Sequence, residues 1–246
     1  MKKRLIGALA STLICLATAP ASATTVQIKE TGLANGMWSG GLALPILSYA
    51  ANYWSGLQTI VVNDTKTLLA FCVDPWEWSP GSNTNYTSSN SLDGIFGSSK
   101  ANNIRELYSE AYAGTLLPPN QSGNLNAAAF QLALWEIIVD APVNNHFSLD
   151  LGSVHKTGGT DASLVTAAQN LLNNIDGHLG NEHYAFQLYT SGKSAGGGNV
   201  SGNQDYLVVN RVPEPGTAAL LLAALGSVGF LILRRRKAAT AIIRKQ

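Results

Sequence analysis

Two residues in this chain have types and surroundings that invite chemistry, Cys72 and Gln131. Of the two cysteines, Cys15 falls inside an amino-terminal apolar run of the kind removed on export, which leaves Cys72 as the only thiol of the exported chain. It cannot make an internal disulfide, so in an oxidising compartment it is buried and inert, reactive, or used between molecules. Free cysteine is among the most buried residue types, and an inert thiol is the simplest reading of Cys72 alone. Gln131 stands in the middle of Ala127-Ala128-Ala129-Phe130-Gln131-Leu132-Ala133-Leu134-Trp135-Glu136-Ile137-Ile138, a run apolar nearly all round and therefore a buried helix. A primary amide in such a place finds partners or costs about 1–3 kcal/mol, and the backbone of a neighbouring strand would satisfy it. A third reading explains both residues at once. The Cys72 thiolate attacks the Gln131 side-chain carbonyl, ammonia leaves, and an internal thioester joins a strand to a helix.

Such a bond survives where water is excluded, and Phe71 and Trp135 are the natural shields. Its formation needs a group that raises thiolate character and a donor for the carbonyl oxygen as it becomes negative. Asp74 and Glu136 are the acids nearest in sequence. The elements that must position the pair are legible around it. Leu57–Val62 and Thr67–Val73 read as two strands of a hairpin joined through Asn63-Asp64-Thr65-Lys66, and Pro75 ends the second. Along that second strand Leu69, Phe71 and Val73 point one way while Leu68, Ala70, Cys72 and Asp74 point the other. Residues 79–94 read as a polar loop. Helices follow: one through Ile104, Leu107, Tyr108 and Ala111, capped at Ser98 or Ser99 and stopped at Gly114; one over 127–139, opened by Asn124 or Asn126; one from Thr160 or Asp161 to Gly177. Strands return at 184–189 and 204–210. Strands, then helices, then strands predict an α+β domain, a β-sandwich or barrel with a helical subdomain, over residues 24–210.

The residues around the pair resemble the bacterial thioester domains, also called TQXA domains, of surface adhesins. The family's aromatic-Cys-hydrophobic-acidic stretch is matched by Phe71-Cys72-Val73-Asp74, and its Thr-Gln-x-Ala-x-Trp by Gln131, Ala133 and Trp135, with Phe130 in place of the threonine. The resemblance implies a Cys72–Gln131 thioester and one-shot covalent capture of an amine-bearing protein or matrix polymer, without turnover and without a cofactor. Trp76, Trp78 and the 79–94 loop are then candidates for the docking surface, or the tryptophans pack over the bond.

The tails carry addresses. Lys2-Lys3-Arg4, an apolar run from Leu5 to Ala17 and Ala21-Ser22-Ala23 have the layout of a secretory signal over residues 1–23. At the other end Gly216–Leu233 is a run of eighteen uncharged residues, long enough for a single transmembrane helix, followed at once by Arg234, Arg235, Arg236 and Lys237. The positive-inside rule leaves residues 234–246 in the cytoplasm and the domain outside it. Val212-Pro213-Glu214-Pro215, the apolar span and the basic stop, in that order over 211–246, closely resemble the PEP-CTERM sorting tail. The resemblance implies processing by an exosortase-type enzyme, a temporary anchor in the inner membrane of a Gram-negative bacterium, and delivery to the cell surface or extracellular matrix.

Composition agrees. The 246 residues are 46% hydrophobic and 13% charged with a net charge of +1, so a packed core is affordable and disorder is excluded. Between Thr24 and Val212, seven basic face fourteen acidic side chains, a local charge of −7 that argues against nucleic acid as partner. A cysteine hydrolase using His146, His155, His178 or His183 lacks any signature around Cys72, and His178 with His183 has no third metal ligand. The stronger rival is a non-covalent module that binds matrix or polysaccharide through its aromatics, with Cys72 merely buried.

Overall fold

The computed structural model describes residues 24–43, 51–176, 184–192 and 202–212. The secretory signal, Pro213, Glu214, Pro215, the 216–233 span and the basic stop lie outside the described residues. The strands are β1 (Thr24–Ala43), β2 (Ala51–Val62), β3 (Lys66–Cys72), β4 (Thr84–Ser89), β5 (His155–Lys156), β6 (Tyr184–Thr190) and β7 (Tyr206–Arg211). The helices are α1 (Leu92–Phe96), α2 (Ser98–Thr115), α3 (Gln121–Val139) and α4 (Ala162–Asn173). Among the described residues no helix is long and apolar enough to cross a membrane.

Among the described residues every strand pairing is antiparallel, and the pairings close on themselves. β1 pairs with β2 and β4, β2 with β3, β3 with β7, β7 with β6, and β6 with β4. Closure leaves this ring of six without a bare edge, and β5 adds only Leu42↔Lys156 and Ala43↔His155 at the far end of β1. All six ring strands contribute to one cluster of buried side chains, Ile28, Ile60, Val62, Ala70, Tyr86, Tyr189, Tyr206 and Val208, which fills the interior. The opposite face of the ring packs on the helices and forms the larger core.

The hairpin turns as its sequence dictates. Asn63 (φ 50°) and Asp64 (φ 55°) take the left-handed conformation that their side chains tolerate, and Thr65 N–H donates to Val62 O at 3.2 Å. β1 and β2 approach closely at the facing glycines Gly36 and Gly56, where an added Cβ would stand 2.4 and 2.2 Å from the opposing backbone oxygens. Two register positions further along, Trp38 faces Trp54 directly across the pair.

α3 is the central helix and packs against α2, α4, β1 and β2. The Ala127-Ala128-Ala129 triplet gives it high intrinsic propensity and lets neighbouring elements approach closely. Its start lies further upstream than the apolar run suggests. Asn120, rather than Asn124 or Asn126, is the N-cap, its side chain accepting Gly123 N–H at 3.0 Å. Asp140 terminates it and Pro142 bars continuation. α4 opens at Asp161, whose carboxylate accepts the N–H groups of Ser163 and Leu164, and it ends at Asn173, short of Gly177. α2 begins at Ser98 behind a glycine and runs through Gly114, with Asn35 Nδ2 of β1 donating to the carbonyls of Thr115 and Leu117 at its end. The 79–94 segment, expected as loop, holds β4 and the start of α1.

Candidate functional site

Cys72 closes β3 and Gln131 lies at mid-length in α3; they are 0% and 1% exposed. The structure brings them into direct contact. The backbone N–H of Cys72 donates to Gln131 Oε1 at 3.0 Å, and Gln131 Nε2 donates to the carbonyl oxygen of Cys72 at 2.7 Å. The backbone donor and acceptor between them dictate which end of the carboxamide is oxygen. A buried amide pairing with a strand backbone is what the plainest reading of Gln131 calls for. What the geometry adds is that this backbone belongs to Cys72, the one cysteine among the described residues.

The thiol of Cys72 donates to the backbone oxygen of Asp74 at 3.2 Å. Burial pushes its pKa well above the ordinary value and the charge on Asp74 adds to the rise, while the contact with the Asp74 backbone and the Trp135 indole draw it back. The resting group is therefore a protonated thiol. Trp135, 2% exposed, sits edge-on to Tyr53 with ring centroids 6.0 Å apart, and its Nε1–H has no hydrogen-bond acceptor in bonding range. That donor influences the sulfur without forming a full hydrogen bond to it.

Phe71 turns to the other side of β3. It packs on Phe130 with ring centroids 4.5 Å apart and on Tyr108 and Tyr112 at 6.3 Å each, a dry aromatic wall between the strand ring and the helices. Phe130, which stands where the related motif has threonine, is a packing residue of that wall.

Asp74 and Asp205 lie near the thiol and Glu77 lies near both of them; neither Asp205 nor Glu77 belongs to the motif around Cys72. Burial lifts Asp74 to about 7, against the pull of Trp76 N–H and with the charge of Glu77 adding. Burial lifts Asp205 to about 8, opposed by Ser191 N–H at 2.7 Å and helped by the charges of Asp74 and Glu77. Glu77 is raised by burial too, with Gly202 N–H at 2.8 Å working the other way. The backbone knits this group to the strand end, because Val73 N–H donates to Asp205 O at 2.9 Å. An acid at the head of the apolar run Tyr206–Val209 was the available clue to Asp205. Glu136, by contrast, turns to the loop after α3, accepts Ser148 N–H at 3.2 Å, and is lifted to about 8 by burial and then by Asp140.

Next to this group opens a cleft of about 710 Å³. Trp76 and Trp78 line it, and so do Trp135 from α3 and the Trp38–Trp54 pair, whose rings meet edge to face at 5.2 Å. Among the described residues no cluster of His, Cys, Asp and Glu has the arrangement of a metal site.

Comparison with known proteins bears on the tail and on the domain separately. The PEP-CTERM protein-sorting motif matches residues 211–237. That motif is a protein-sorting signal and implies exosortase-dependent export. No curated protein sequence matches the chain. Among solved structures the domain is similar to the N-terminal thioester domain of fibronectin-binding protein SfbI from Streptococcus pyogenes, at 17% identity and a TM-score of 0.41, covering 72% of this chain and 94% of that one. It is also similar to the N-terminal domain of the Streptococcus pyogenes pilus tip adhesin Cpa, at 13% identity and a TM-score of 0.37, covering 75% of this chain and 98% of that one.

Proposed function

We propose that this exported protein carries an internal thioester between Cys72 and Gln131 and uses it once, to bond an amine-bearing target at the cell surface or in the extracellular matrix. The observation that carries the reading is the two-point clamp between the Gln131 carboxamide and the backbone of Cys72 in a fully buried site. The Cys72 N–H already donates to the oxygen that becomes negative as sulfur adds to the Gln131 side-chain carbon, so it acts as the oxyanion donor. The Cys72 carbonyl holds the amide nitrogen that leaves. In the bond-forming step the C–S bond forms, the C–N bond breaks, and the thiol proton departs with that nitrogen as ammonia. Asp74, partly ionised near neutrality, is the acid whose charge the thiol feels most and the natural carrier of the proton. In capture, a neutral amine attacks the same carbon, the C–S bond breaks, the amine's proton returns to sulfur, and a stable amide remains. The closed antiparallel ring is a small β-barrel, and the helices packed on it form the helical subdomain that supplies Gln131 and Trp135.

In this reading residues 1–23 are the secretory signal and 24–210 the capture domain. Val212 to Pro215 is the recognition element for the exosortase, 216–233 the transient anchor, and Arg234 to Lys237 the cytoplasmic stop. Intact mass of natively purified protein tests the bond. The chain after signal removal should be lighter by one ammonia than its sequence requires, methylamine should then add one methylamine, and neither change should occur in Cys72→Ala or Gln131→Ala. An unmodified mass with a freely reacting thiol in fresh protein would refute it.

A further inference from the structure

All five tryptophans of the chain line the one cleft beside Cys72: Trp38, Trp54, Trp76, Trp78 and Trp135. They come from β1, β2, the turn after β3 and α3, so no local constraint gathers them. Packing does not account for the outer three, since Trp38, Trp54 and Trp78 are 48%, 59% and 83% exposed. Large aromatic faces left bare around a concavity are a mark of ligand binding, and about 710 Å³ lies within the roughly 300–1,000 Å³ range of small-molecule sites.

The polar lining says what kind of ligand. Glu30 and Glu77 line the cleft, and among its described lining residues none is Lys, Arg or His, so this lining is complementary to a cation. Gln58 is 5% exposed; its Nε2 donates to Gln204 Oε1 at 3.1 Å while its own Oε1 is buried without a partner. Ser79 donates to the same Gln204 oxygen. An unpartnered buried acceptor in a cleft wall calls for a ligand that brings donors. A lysine side chain brings one ammonium, whose three donors must be shared between the carboxylates and the Gln58 oxygen, on a thin methylene stem that leaves most of the aromatic faces unused. A sugar ring with an amino group brings an apolar face for an indole, hydroxyls for Gln58, and an ammonium for the carboxylates.

We infer that this cleft is a binding site for a glycan of amino sugars with free primary amines, and that it feeds such an amine to Cys72–Gln131. Trp135 belongs to both places, lining the cleft while its indole acts on the Cys72 thiol. The inference rests on the capture reading for the fate of the amine but not for binding.

Because every tryptophan lines the cleft, intrinsic fluorescence reports its occupancy. The test titrates full-length Cys72→Ala protein, which cannot capture, with a β-1,4-linked glucosamine tetramer, its fully N-acetylated counterpart, and a lysine tetrapeptide. Saturable quenching by the glucosamine tetramer is expected, with the other two at least about tenfold weaker. Trp78→Ala, which removes a largely exposed ring, should weaken the tetramer, and Glu30→Gln should narrow the gap between the free and acetylated forms. Equal binding of the acetylated form would show that the amine is not read, and tighter binding of the peptide would point to a protein target. Either result, or no saturable change, overturns the inference. Methylamine incorporation by the unmutated protein separates the two readings. Incorporation without tetramer binding sinks the glycan site and leaves capture, whereas tetramer binding without loss of ammonia does the reverse.

Discussion

The two sides of strand β3 differ as sharply as two parts of one small domain can. On one side Phe71 meets Phe130, Tyr108 and Tyr112 in a packed aromatic wall in which shape is the whole of the interaction. On the other, one residue further along, Cys72 meets Gln131, three acids raised by burial and a cleft with bare indoles. The alternation of a strand puts these environments back to back. α3 serves both, through Phe130 on one side and Gln131 with Trp135 on the other. The first side holds the ring to the helices, while the second holds buried polar groups that an inert core would have replaced with aliphatic ones. Stability and chemistry should therefore separate by side.

The largest break in that comparison comes from Phe130→Ala. Removing a fully buried ring from the aromatic wall should cost about 3–5 kcal/mol, read as a lowered urea midpoint, because the Phe71, Tyr108 and Tyr112 rings cannot collapse into the space. Folded Phe130→Ala protein should still lose one ammonia. If it folds but keeps the full mass, the wall is part of the chemistry after all and the two sides are not independent.

The second prediction concerns pH and belongs to the Cys72 side. Asp205 and Asp74 are raised in the fold from 3.8 to about 8 and about 7, so over that interval the folded chain holds protons that the unfolded chain has released. Their contribution to stability is fullest below about pH 4 and is lost as pH rises through about 7 to 8. Each such group can contribute a slope of up to about 1.4 kcal/mol per pH unit. Asp205→Asn keeps an oxygen for Ser191 N–H and removes one titration, so the fall in urea midpoint between pH 5 and pH 8 should flatten. An unchanged slope would mean that Asp205 titrates as a solvated acid.

The same division explains what could be read from the sequence. The β2–β3 hairpin and α4 announce themselves by an apolar period with a turn or cap of distinct chemistry, and α3 by an apolar run too long and too continuous for an exposed element. β4 does not, since in Thr84-Asn85-Tyr86-Thr87-Ser88-Ser89 the inward positions are Tyr86 and Ser88 and the rest is polar. The interior of a six-strand ring is narrow, so a strand can belong to it with a single large residue. β1 is obscured by its glycines and serines, which the close approach at Gly36 and Gly56 requires. Cys72 and Gln131 stood out because each is an odd residue in a regular background. The cleft did not, because its tryptophans are spread from 38 to 135 and only the closed ring, with α3 laid across it, gathers them.

The smallest prediction asks how firmly α3 sets the position of Gln131. Asn120 caps the helix more than two turns before Gln131, and its side chain satisfies Gly123 N–H at the first turn. Gly123 itself is pressed against the chain, since a Cβ there would stand 2.3 Å from Pro118 O, so the first turn is held by close packing as well as by the cap. Asn120→Ala should therefore cost about 1 kcal/mol and fray no further than that turn. Beyond it the helix is buried from Ala127 to Ile138, and Gln131 is held at both ends of its carboxamide by Cys72. The loss of stability should appear in the urea midpoint, while the yield of methylamine adduct stays that of the unmutated protein. A falling yield would mean that the clamp at Cys72 depends on the whole helix keeping its register, and that the cap, though far from the sulfur, is one of the residues that place the bond.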